Sequence, residues 1–128
     1  MGRSVLAVIA GAIVMVTGVV LVSMALVSWM PQRPTGPSAI PALGLLLALN
    51  LLVACLGGWV TATVAPRDPL RHALALGIVQ AVLYAVSALA SRGSVPAWFH
   101  AGMLVFLVPL VVLGGQVRAW QRRPTPPA

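Results

Sequence analysis

Where the charges stand constrains this chain more than any other feature. Eight arginines and one acid, Asp68, are its only charged side chains; there is no lysine and no glutamate. They fall at positions 3, 33, 67, 68, 71, 92, 118, 122 and 123, and the stretches between them are long and apolar. A membrane-crossing helix needs about 20 mostly apolar residues. Four segments meet that length, at 5–30, 39–64, 70–90 and 97–120. Inside hydrocarbon each must satisfy its own backbone hydrogen bonds, which selects helix over strand. The expected fold class is therefore all-α, a polytopic membrane protein. It would be one four-helix transmembrane domain over 1–128, built as two tandem helical hairpins, with a disordered cytoplasmic tail at 122–128.

Composition excludes the other classes. Apolar residues make up 60% of the chain and charged ones 7%, where a soluble domain carries about a quarter charged residues. Disorder needs the opposite balance, low hydrophobicity with high charge. A net charge of +7 would suggest nucleic acid in a soluble protein. Here the arginines flank apolar runs, as topology determinants do, and no basic stripe with interleaved aromatics accompanies them. No nucleic-acid partner is expected; the expected partner is the lipid bilayer. Cys55 stands alone in an apolar run, where it serves as a small buried hydrophobe and not as half of an intrachain disulfide.

The breaks carry turn chemistry. Pro31, Pro34, Gly36 and Pro37 cannot continue a helix. Ser38 suits the cap of the second helix and Pro41 its first turn. Asp68 followed by Pro69 reads as the N-cap and first residue of the third helix. Ser91 to Pro96 separate the third helix from the fourth. Ser23-Met24-Ala25 faintly resembles a signal-peptidase site, but the apolar run before it exceeds the roughly 7–15 residues of a signal peptide's core, so the first span is expected to remain.

Four spans place both termini and the second connection on one side. Arg3, Arg67, Arg71, Arg118, Arg122 and Arg123 then share that side, and only Arg33 and Arg92 lie opposite. The positive-inside rule puts the six in the cytoplasm. Trp29 and Trp98 fall at the outer interface, Trp59 and Trp120 at the inner one.

An internal repeat is suggested by Leu56-Gly57-Gly58-Trp59-Val60-Thr61-Ala62 and Leu113-Gly114-Gly115-Gln116-Val117-Arg118-Ala119, which share L-G-G-x-V-x-A. Each is followed by a proline, Pro66 and Pro124. Duplication of a two-helix hairpin would give parallel repeats. In lipid, helices associate by close packing, which small residues permit. Gly57, Gly58, Gly114 and Gly115 are candidates, as are Gly11 and Gly18. So is the four-residue stripe Ala73, Gly77, Ala81 and Ala85.

Chemistry is sparse. No acid lies inside a span, where proton-coupled transport places one. His72 and His100 sit at opposite membrane faces and cannot share a metal, so neither a metal site nor a cofactor is expected. No phosphate loop, dinucleotide fingerprint or catalytic triad is visible. The candidate polar cluster is Thr17, Asn50, Gln80 and Tyr84. Asn50 and Gln80 lie at matching depth on consecutive antiparallel helices. Both are expected to point into the bundle, hydrogen-bonded directly or through Thr17 or a water. Pro109 removes an interior hydrogen bond of the fourth helix and marks a kink.

The run from Leu56-Gly57-Gly58-Trp59 through Ala62, Ala65-Pro66, Pro69, His72-Ala73 and Leu76-Gly77 resembles a motif of small bacterial membrane proteins with four predicted spans. Those proteins carry L-G-G-aromatic-x-x-A, A-P-x-x-P, H-A and L-G. The resemblance covers the second and third helices and brings no assigned activity. Small multidrug transporters depend on a membrane glutamate that this chain lacks, and dual-topology fluoride channels balance their charge across the membrane, as this chain does not. The expected role is a non-catalytic structural or accessory membrane component, packing against itself or in a larger complex. The alternative is a small homo-oligomeric channel or transporter.

Overall fold

The computed structural model describes residues 2–29, 39–65, 67–90 and 95–122. The proline-rich connection at 31–38, the expected Ser38 cap and the tail from 123 onward lie outside the described residues. Among those residues there are four helices and no strand: α1 (Gly2–Trp29), α2 (Ala39–Val64), α3 (Pro69–Ala90) and α4 (Ala97–Gln121). All four are long and apolar enough to cross a membrane. The chain is an all-α, four-helix integral membrane protein.

Two helices form the centre. α2 and α4 run parallel, with Leu47 beside Gly102, Cys55 beside Gly114 and Gly58 beside Val111. α1 lies antiparallel on α2, with Gly18 facing Val53 and Gly11 facing Gly57 and Thr61. α3 lies antiparallel on α4, with Gly77 facing Val108 and Val111, and Ala73 facing Gly115. α1 reaches α3 where Leu76 meets Gly11, and it does not approach α4.

Glycine sets these distances. Lipid supplies no hydrophobic drive for helices to associate, so van der Waals contact must hold the bundle, and that contact grows as backbones close. A Cβ on Gly58 would overlap the Val111 carbonyl, and one on Gly114 would overlap the Cys55 carbonyl. The α2–α4 seam is therefore a backbone-to-backbone contact. Gly57 instead accepts the Met15 side chain from α1, and Gly115 the Ala73 methyl from α3. Each Gly-Gly pair thus gives one glycine to the central seam and one to its hairpin partner. The order is reversed between them: the seam takes the second glycine of α2 and the first of α4. Gly77 differs, since a methyl there would meet Val108 at 3.5 Å and Val111 at 3.6 Å, ordinary contact distances.

The core follows from this geometry. Leu76, Val111 and Thr61 are the largest fully buried side chains, and Met15, Phe99, Met103 and Leu107 pack with them. The Thr61 hydroxyl donates to the Gly57 carbonyl at 2.9 Å, which satisfies a buried polar group within its own helix. Ala81 packs on the core, and Ala85 is half-buried. The outer faces stay apolar and exposed, as at Ile13, Leu21, Val82 and Val86.

Two helix ends show local chemistry. Asp68 stands before Pro69 at the N-cap of α3, and its carbonyl accepts the first bonds of the helix, from the Arg71 and His72 amides at 3.1 and 3.4 Å. Its φ of 48° is left-handed, a region aspartate tolerates better than most residues. At the end of α2, Arg122 donates to the carbonyls of Ala65 at 3.3 Å and Thr63 at 2.5 Å. A cation there meets the negative end of the helix and fills its free carbonyls. α4 stays helical through Pro109, whose ring is exposed.

Candidate functional site

Three polar residues of the bundle interior share one cavity. Asn50 from α2 and Gln80 and Tyr84 from α3 line a space of about 220 Å³, together with apolar side chains of α1 and α4. α1 contributes Met15, Val16, Val19 and Val20; α4 contributes Phe99, Met103 and Leu107. Met15 and Val19, Val16 and Val20, and Phe99, Met103 and Leu107 each recur four positions apart, so each helix presents a single face to the cavity.

Asn50 is only 7% exposed. Its Oδ1 is buried without a hydrogen-bond partner, and so is Nε2 of Gln80. The two amides share the cavity, as their matched depth suggests, but no direct bond joins them. Thr17 does not join them either. It is exposed and does not line the cavity, whereas its neighbour Val16 does. One residue turns a helix by about 100°, and that step carries the hydroxyl off the lining face.

Tyr84 has a partner that hydropathy did not suggest. Its hydroxyl lies 2.9 Å from Nδ1 of His100, with the ring centroids 5.9 Å apart. When the hydroxyl donates to Nδ1, the imidazole carries its proton on Nε2. That nitrogen is buried and unpartnered. Phe99 stands edge-on to the same imidazole, at 6.3 Å and 84°. His100 stands one turn into α4, near the helix end as its sequence position suggests; its bond to Tyr84 is the added finding. The available signal was hairpin register, since Tyr84 and His100 lie equally far on either side of the connection around Arg92.

A second polar cluster closes the other end of the α2–α4 seam. Trp59 Nε1 donates to Gln121 Oε1 at 3.1 Å, and Arg118 Nη1 donates to the same oxygen at 3.3 Å. The Arg118 guanidinium stands 5.6 Å from the Trp59 ring centroid, within cation–π range. Arg118 and Arg122 thus make structural contacts in addition to any part in orientation. His72 stands at the far end of α3 from Tyr84, with Nδ1 3.1 Å from the Asp68 carbonyl.

The cavity lining is neutral and mostly apolar, with hydrogen-bonding groups at Asn50, Gln80 and Tyr84. Such a lining can orient a small uncharged molecule; it offers nothing to hold a strong charge. Compared with known proteins, the chain matches no family, no curated protein and no solved structure.

Proposed function

We propose that this chain is a non-catalytic structural or accessory component of the bacterial inner membrane, with both termini in the cytoplasm. The observation that carries this reading is the use of its closest contacts. Gly58 and Gly114 lock α2 to α4 at backbone distance, while α1 and α3 keep broad apolar outer faces. A rigid seam with uncovered flanks suits a subunit that packs among other helices. The orientation rests on the six arginines against two. Hairpin duplication, on the shared L-G-G-x-V-x-A, belongs to the same reading. Purification from native membranes in mild detergent tests the role: stoichiometric foreign subunits support it.

A small homo-oligomeric channel or transporter is the second reading. The cavity around Asn50, Gln80 and Tyr84 favours it, because it places unspent hydrogen-bonding groups inside the bundle. A defined homo-oligomer with no foreign subunit, in the same purification, would favour this reading over the first.

A further inference from the structure

We infer that the cavity between Asn50 and Phe99 is a binding site for a neutral, lipid-soluble ring bearing a hydroxyl group, of the phenol or hydroquinone class, which enters from the bilayer between α1 and α3. This goes beyond the structural role and holds under either reading of it.

The polar groups specify the ligand's hydrogen bonds. Asn50 Oδ1 is an acceptor without a donor, on a side chain only 7% exposed. Gln80 Nε2 is a donor without an acceptor. Buried polar groups in folded proteins are nearly always satisfied, so two orphans on side chains that line one cavity, each needing only a side-chain rotation to reach it, mark a place for a molecule that supplies both functions. A hydroxyl does: it donates through its proton and accepts through its oxygen. A ketone or ether oxygen would serve Gln80 and leave Asn50 Oδ1 without a donor.

Size and lining specify the rest. A cavity of roughly 150 Å³ lined by aliphatic and aromatic side chains binds benzene, so about 220 Å³ admits a substituted ring. Its walls include Met15, Met103 and Phe99. Thioethers and aromatic edges are soft, polarisable partners for a ring. No charged residue lines the cavity, which disfavours a phosphate or other ionic headgroup.

The route follows from helix packing. α1 meets α3 at Gly11 and Leu76 and does not approach α4. Beyond that contact, Val16 and Val20 on α1 are exposed and Gln80 and Tyr84 on α3 are half-buried, and all four line the cavity. The opening therefore faces the lipid side, and an alkyl tail on the ring would lie against Val16 and Val20.

Equilibrium uptake by the full chain in phosphatidylcholine nanodiscs tests the site, with 4-hexylphenol as probe, hexylbenzene as its hydroxyl-free counterpart and chain-free nanodiscs as the partition blank. The expected result is saturable uptake of 4-hexylphenol, one molecule per chain, with only partition for hexylbenzene. Asn50→Leu and Gln80→Leu should each weaken the saturable binding by about tenfold, the effect of losing one buried hydrogen bond. Val86→Leu, on the lipid-facing side of α3, should leave it unchanged. Uptake equal to the blank, saturable hexylbenzene binding of equal strength, or binding indifferent to both leucine variants would each overturn the proposal.

Discussion

The Tyr84 hydroxyl and His100 Nδ1, 2.9 Å apart, join α3 to α4 inside the apolar span. Hydrogen bonds between helices in membranes contribute modestly, because the unfolded chain in lipid also finds partners. We expect Tyr84→Phe and His100→Phe to show a coupling of about 0.6 kcal/mol in a double-mutant cycle. Unfolding in mixed micelles measures it, and strict additivity would mean that the two side chains do not act together.

Glycines at different contacts should respond differently to the same methyl group. Gly58→Ala and Gly114→Ala force carbon into a facing backbone carbonyl, and overpacking of that kind costs about 1–3 kcal/mol. Gly77→Ala meets only ordinary contacts and gains helix propensity, so it should be neutral or stabilising. Gly77→Ile exceeds the space and should reduce folded yield, whereas Val86→Ile on the exposed face should not. Folded yield in detergent orders the variants, and equal losses at Gly58 and Gly77 would contradict the seam.

Ala73 and Gly115 form a reciprocal pair across α3 and α4. A Cβ on Gly115 would stand 2.7 Å from the Ala73 methyl. Gly115→Ala alone should destabilise the bundle by about 1–3 kcal/mol. Adding Ala73→Gly should recover most of that loss, since the methyl is then carried by the other helix. Thermal unfolding of the single and double variants gives the answer; a double variant less stable than Gly115→Ala would disprove the pairing.

Orientation can be read independently of packing. A C-terminal reporter active only in the cytoplasm and a reporter near Arg33 active only in the periplasm are the expected pair. The reverse pattern would invert the proposed topology.

Much of the architecture was legible because it depends on quantities a sequence carries directly. Uncharged length defines a span, so four helices followed from where the arginines and Asp68 stand. Small residues mark close packing, so Gly58 and Gly114 were identified before their partners were known. What the sequence withheld was helix rotation. These helices are apolar nearly all round, and no polar face tells which side turns inward. Thr17 was therefore expected to face the interior, whereas it is exposed and Met15, two residues earlier, is buried. Gly77 and Gly58 looked alike for the same reason, though one has room for a methyl and the other does not. The Asp68 cap was placed correctly as the residue before Pro69, but its left-handed backbone depends on the turn as a whole. Arg118 and Arg122 were read through charge alone. The Arg118–Gln121 bond is local to α4, but the Arg122 bonds to Ala65 and Thr63 need the parallel register of α2 and α4, which no local pattern encodes.

The central claim is that the bundle holds polar groups not spent on its own stability. Replacing Asn50 with leucine tests this most directly, because Asn50 Oδ1 is buried and unpartnered and the adjoining cavity has room for a larger side chain. Removing an unsatisfied buried acceptor relieves a desolvation cost of about 1–3 kcal/mol. Measured by unfolding in mixed micelles, Asn50→Leu should be as stable as the parent chain or more stable by up to about that amount. A loss of about 2 kcal/mol or more would instead show that the amide is part of the fold's own hydrogen bonding, and would contradict the account.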